Sequence, residues 1–202
     1  LEQVATLHNG ATLTDGVLEL DPAQNSYVVV PHSPEVDVDV SDTTMHLWFY
    51  PESTNFPGGH SQTFFGKHNT GSPNWEGLSI GFADRAHPSH GGGGVGFKVF
   101  SCNGHCTSNG NNTIFRPAGG ITLNQWHHFA ITYNESNNVH TVYYDGQPVS
   151  TWTKLLPKGT TQDLVIGGST TNGRTFDGKL KKIYIEKSLL SDAEILAIYN
   201  AG

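Results

Sequence analysis

Apolar and polar residues alternate along most of this chain, in short runs separated by turn-forming residues. Thr44–Tyr50 shows it best: Met45, Leu47 and Phe49 fall on one side of an extended segment, with His46, Trp48 and Tyr50 on the other. Val17–Leu20, Ser26–Val30, Gln62–Lys67, Gly77–Phe82 and Val95–Ser101 read as strands in the same way. Trp126–Tyr133 and Val139–Tyr144 read as paired strands, and Asp145-Gly146 predicts a two-residue hairpin turn after them. Phe129, Ile131 and Tyr133 face one side of the first, and Trp126, His128, Ala130 and Thr132 the other. Bulk on both faces predicts a central strand with one face in the core and the other lining a concave groove. The alternation of Glu35, Asp37 and Asp39 with Val36, Val38 and Val40 predicts an edge strand whose acids face water. Helical signal is confined to the end. Ser191-Asp-Ala-Glu194 is a capping box, and the helix it opens runs through Ile195, Ile198 and Tyr199 to Asn200. Two segments, 83–94 and 103–112, are rich in Gly, Asn, His and Pro and read as long loops.

Composition agrees with many strands joined by turns. Of 202 residues 24 are Gly and only 14% are charged, which argues against coiled coil or long helix. No repeat or linker divides the chain, so residues 1–202 are read as one domain. A net charge of −7 argues against nucleic acid as a partner, although 11 His add positive charge in acid. No run of apolar residues is long enough for membrane insertion. The chain begins at Leu1 rather than Met, so it reads as a mature or excised piece whose missing leader says nothing about secretion.

Familiar catalytic patterns are missing from the sequence. There is no Glu-x-Asp-x-Glu, Gly-x-Ser-x-Gly, P-loop or His-Glu-x-x-His. The cysteines sit in Cys102-Asn-Gly-His-Cys106 and leave three readings open: a disulfide across a short loop, two free thiols, or a zinc site with His105. A disulfide would place the chain outside the cytosol.

Three stretches together resemble a known family. Residues 16–52 read GVLELDPAQNSYVVVPHSPEVDV…TTMHLWFYPE, residues 124–150 read NQWHHFAITYNESNNVHTVYYDGQPVS, and residues 163–200 contain GG…FDGKLKKIYI…LLSDAEILAIYN. The set resembles the laminin-G-like jellyroll of the concanavalin A-like lectin/glucanase superfamily, with pentraxins as relatives. It covers most of the chain and leaves roughly 68–120 without a template. The resemblance implies an all-β fold, a two-sheet antiparallel β-sandwich jellyroll with one short C-terminal helix against the sandwich edge. It also implies a structural Ca2+: Asp21 stands where the family has its L-D-G aspartate and Asp177 where it has F-D-G, with Asn25 able to add an oxygen. Pro22 departs from the family's glycine. The residue-level alternative is that Asp21 caps a turn and Asp177 starts a hairpin.

The untemplated middle holds the makings of a sugar site: Asn74, Trp75, Asp84, Arg85, His87, His90 and Arg116. Sugar sites join an aromatic platform to planar polar groups, and two Arg among His favour an acidic or sulfated glycan. Trp126, His127 and His128 read as sheet-lining residues, and Trp48 and Trp152 as either packing or site. The expected function is non-catalytic carbohydrate binding, as an extracellular or cell-surface lectin-like module. Alternatives are a protein-binding adhesion domain, or a polysaccharide lyase or glycosidase without familiar motifs, since one fold hosts all three.

Overall fold

The computed structural model describes residues 4–38, 41–54, 61–69, 75–84, 95–106, 112–154, 160–170 and 173–202, with the side chains of 68, 69, 75, 76, 84, 102–106 and 112 left out. Fourteen strands and one helix follow in chain order. They are β1 Thr6–His8, β2 Thr12–Thr14, β3 Val17–Leu20, β4 Tyr27–Val30, β5 Thr43–Pro51, β6 Ser61–Asn69 and β7 Trp75–Asp84. Next come β8 Val95–Cys106, β9 Asn112–Phe115, β10 His127–Asn134, β11 Val139–Tyr144, β12 Gln147–Thr153, β13 Leu164–Ile166, β14 Gly178–Glu186 and α1 Asp192–Asn200. They form two antiparallel seven-stranded sheets. Sheet A runs β1-β4-β13-β6-β7-β8-β9 and sheet B β12-β11-β10-β5-β14-β3-β2. This is the expected all-β sandwich with a single C-terminal helix.

The alternation read from the sequence sets which face meets which. Met45, Leu47 and Phe49 of β5 and Phe129 and Ile131 of β10 point inward from sheet B. Leu78, Ile80 and Phe82 of β7 and Phe97 and Val99 of β8 point inward from sheet A. At the centre Phe49, Phe64, Phe82, Phe97, Phe129 and Phe176 are fully buried, each with another ring centroid within 4.9–5.8 Å. Such tilted and edge-on pairs add to the area each ring removes from water.

Three expectations are corrected. Pro34–Val36 is a 3₁₀ turn, not part of an edge strand: Pro34 fixes φ at its first position, and the N–H groups of Val36 and Asp37 donate to the carbonyls of Ser33 and Pro34. Among the described residues of that run, Val38 is buried in the core and Val36 packs against it half-buried. The stretch taken as a loop from residue 103 continues β8 as far as Cys106, and β9 begins at Asn112. The helix meets the edge strand β12 and extends from there over the outer face of sheet B. Ile195 is fully buried against Ala130 and Tyr143, and the Tyr199 ring stacks on Trp48 at 5.7 Å. The expected open groove beside His128 is therefore roofed by α1.

Candidate functional site

With α1 on sheet B, the outer face of sheet A is the broad face without a helix. One row of positions crosses it. The carbonyl of Arg174 accepts from Thr63 N–H at 2.9 Å, Thr63 lies opposite Gly81, Gly81 opposite Lys98, and Lys98 opposite Ile114. Since Phe97 and Val99 point into the core, Lys98 points outward. Gly81 contributes no side chain to the row; a Cβ there would lie 1.9 Å from the Gln62 carbonyl oxygen, so the bulged β6 demands glycine.

Lys98 is 8% exposed, and Arg174 is half-buried with its Nε unpartnered among the described residues. No ion pair among the described residues supplies either with a carboxylate. Burial, reinforced by the Arg174 charge, pushes the Lys98 ammonium down to about 7. Burial lowers the Arg174 guanidinium as well. Arg116 joins them: Phe115 packs inward, so Arg116 falls on the outer face, and its stem lies over Gly96, whose Cβ would come 3.0 Å from Arg116 Cγ. Arg116 is exposed. The connections between β5 and β9, residues 52–60, 70–74, 85–94 and 107–111, contain one acid, Glu52, beside Arg85 and the histidines His60, His87 and His90.

The seven residues proposed for sugar do not form one cluster. Asn74, Arg85, His87 and His90 lie outside the described residues, as do the side chains of Trp75 and Asp84. The backbone still separates them: Trp75 opposite Cys106 and Asp84 opposite Val95 are the two ends of β7, about 30 Å apart at strand rise. Arg116 belongs to the Asp84 end. Lys98 and Arg174 escaped the sequence reading because a lone Lys in an alternating strand and an Arg in a Gly-Arg-Thr turn carry no signal until register brings them together. Trp152 proves to be packing, stacked on His140 at 4.8 Å and on Phe115 at 5.8 Å. His127 and His128 are buried in sheet B as expected, and Trp126 is half-buried beneath Lys181 Nζ at 4.4 Å.

The junction named for calcium brings oxygens together, with most already engaged. Asp21 Oδ1 accepts from Ala23 N–H and Oδ2 from the Gln24 amide, both at 2.8 Å, and these bonds hold its carboxyl below the usual range. Asn25 Oδ1 accepts from Thr175, whose hydroxyl also donates to the Ser26 carbonyl at 3.1 Å. Asp177 Oδ2 accepts from Ser53. Among the described residues no three His, Cys, Asp or Glu gather as a metal would require. The side chains as arranged favour turn capping, and an ion here would have to draw Asp21 out of its own turn.

Cys102 stands opposite Gly77 and Cys106 opposite Trp75, because β8 carries extra residues at the Trp75/Glu76 register shift. Their side chains lie outside the described residues.

Two seven-stranded sheets packed around an aromatic core, with one helix laid on a face, define a lectin-like jellyroll. The chain belongs to the Laminin_G_3 family of the concanavalin A-like lectin/glucanases superfamily, whose model matches residues 22–196. No curated protein sequence matches it. Among solved structures it is similar to the binding domain of Paraclostridial Mosquitocidal Protein 1, at TM-score 0.69 and 16% identity, over 98% of this chain and 47% of that one. This chain thus spans about half the length of that binding domain. It is also similar to domain 4 of AbnA, a GH43 extracellular arabinanase from Geobacillus stearothermophilus, in complex with arabinotriose, at TM-score 0.65 and 18% identity, over 96% of this chain and 87% of that one. A third is the botulinum neurotoxin serotype D ligand binding domain in complex with N-acetylneuraminic acid, at 0.66 and 13%, over 98% and 46%. At these identities the likeness establishes the fold. No described helix is long and apolar enough to cross a membrane.

Proposed function

We propose that this domain is a non-catalytic, extracellular carbohydrate-binding module, and that it binds an acidic glycan on the outer face of sheet A. The observation that carries this is the Lys98–Arg174 pair: a buried and a half-buried cation with no carboxylate partner among the described residues. Burying an unpaired charge is costly, and a uronate carboxylate or a sulfate would offset that cost. A polysaccharide lying along β7 would extend from the cationic row toward Trp75 at one end and Arg116 at the other. Arabinotriose with AbnA domain 4 and N-acetylneuraminic acid with the toxin domain are in keeping with glycan binding on this fold.

Polygalacturonate, alginate and a sulfated glycosaminoglycan should retard the protein in affinity electrophoresis more than neutral arabinan does. Lys98→Met should weaken the acidic-glycan affinity roughly ten- to hundredfold, the worth of a charged hydrogen bond, with the fold intact by circular dichroism. Retention should also decline above pH 7, as Lys98 loses its proton. If no acidic polysaccharide retards the wild type, the reading fails.

A calcium ion at Asp21, Asn25 and Asp177 and a Cys102–Cys106 disulfide belong to the same proposal. Supporting the bridge, the β8 register reduces a four-residue separation to about two strand positions, 6–7 Å, near the limit a disulfide spans. Intact mass before and after reduction should differ by two hydrogens. Chelator should lower the melting temperature, since an ion bound only to the native state stabilises it; an unchanged melting curve removes the ion from the account.

A further inference from the structure

Sheet B carries a cleft of its own. Between β5, β14 and the end of α1 lies a space of about 290 Å³, lined by His46, Trp48, Lys182, Tyr184, Glu186 and Ile198. That is near the lower bound for small-molecule sites, about 300 Å³. Tyr184 is the only aromatic among the exposed large hydrophobic residues of the described chain, at 51% exposure. Its ring is held from behind, stacked on His46 at 5.0 Å and 25°, and His46 Nε2 is fixed by Glu186 Oε1 at 2.9 Å.

The backbone turns Tyr184 outward by a local distortion. Lys181 lies opposite Trp48 and Tyr184 opposite His46, so β14 holds one residue more than β5 between those pairs. Within this bulge Lys182 has φ +49°, a left-handed conformation costly for a side chain of its kind. Bulges of this sort re-aim side chains and cluster near sites. Two buried polar atoms on the lining residues have no partner among the described residues: His46 Nδ1 and Trp48 Nε1. The Lys182 ammonium is already bonded to the Gly202 carbonyl, so the cleft presents a carboxylate and no uncommitted cation of its lining.

The geometry points to a second binding site in this cleft, for an uncharged pyranose: its apolar face on Tyr184, its hydroxyls on the Glu186 carboxylate, and its edge over the Trp48 wall. The site is independent of the acidic-glycan reading and lies on the opposite sheet. The test is a titration of the wild-type protein with methyl glycosides of glucose, galactose, mannose and xylose, followed by amide and indole NMR shifts. At least one should shift the Trp48 indole and the amides of Ile183–Glu186. Tyr184→Ala should weaken that response roughly tenfold. If Tyr184→Ala proves unfolded, Glu186→Gln takes its place, with the same weakening expected. Galacturonate should act instead on the amides of Gly81, Lys98 and Ile114, so failure of either site is seen separately. No shift at the Trp48 indole with any neutral glycoside overturns the proposal. So does a response unchanged in the variant, or one stronger for galacturonate than for methyl galactoside.

Discussion

Lys67 and Lys98 are 3% and 8% exposed, and their surroundings differ. Lys67 Nζ donates to the Gln162 carbonyl at 2.6 Å and lies 2.9 Å from His32 Nδ1 and 3.2 Å from Asp37 Oδ1. Its charge is neutralised by the fold. Lys98 has no carboxylate partner among the described residues and bears the like charge of Arg174 beside it, which is why the acidic-glycan proposal rests on it. Nothing in the local sequence of either distinguishes them; the partners of Lys67 come from residues 32, 37 and 162, and only tertiary structure brings them there. The histidines pose a related contrast. His128 is fully buried with both ring nitrogens unpartnered among the described residues, and burial, aided by the neighbouring His46, pushes it down to about 4. Burial does the same to His140, also to about 4. Both are neutral in the folded state and take up protons on unfolding below their ordinary value of 6.5. Each therefore contributes stability that is present above pH 6.5 and lost as pH falls through 4. The loss is of the order of 3 kcal/mol per group. Urea unfolding at a series of pH values should show this slope, and His128→Phe should flatten its share; a variant with the parent's slope would contradict the assignment.

Among the elements, those with strong local signals were legible and those held by distant partners were not. The capping box forms as read: Ser191 Oγ accepts from Glu194 N–H at 3.4 Å, and Glu194 Oε2 accepts from Ser191 N–H at 2.8 Å. Asp145 and Gly146, at φ +48° and +73°, make the expected hairpin turn. What escaped the sequence is that Asp145 also accepts from His128 N–H at 2.8 Å and contacts His127 Nδ1 at 2.9 Å, fixing β10 from its neighbour's turn. The three-residue strands β1 and β2 were invisible, since they are too short to show a period and exist only by pairing with β4 and β3. EVDVDV misled because period-two alternation is necessary for a half-buried strand but Pro34 outweighs it. The helix owes its place to both its cap and its buried face. Ser191→Ala should cost about 1 kcal/mol, and Ile195→Ala about 2–4 kcal/mol through the cavity left against Ala130 and Tyr143. Thermal melts of the two variants check the order; equal effects would mean the helix is held by its end and not by its face.

For the molecule as a whole, the two sites proposed above would divide the work of recognition between the faces. Sheet A offers a cationic row, and sheet B a small aromatic cleft beside a helix that closes the rest of its centre. Sites on opposite faces cannot grip one sugar residue, but they can bridge two chains of a matrix, where the second contact is made at raised local concentration. The sheet order has a further consequence, for life at high concentration among such polymers. The four outermost strands are β1, β9, β12 and β2. Three of them are only 3, 4 and 3 residues long, and β12 carries Pro148 and a register shift in its pairing with β11. Short or proline-interrupted margins give a neighbouring copy little unpaired backbone to extend. The sandwich is thereby insulated against end-to-end growth into fibres, and crowding of many copies on one polysaccharide need not seed aggregation.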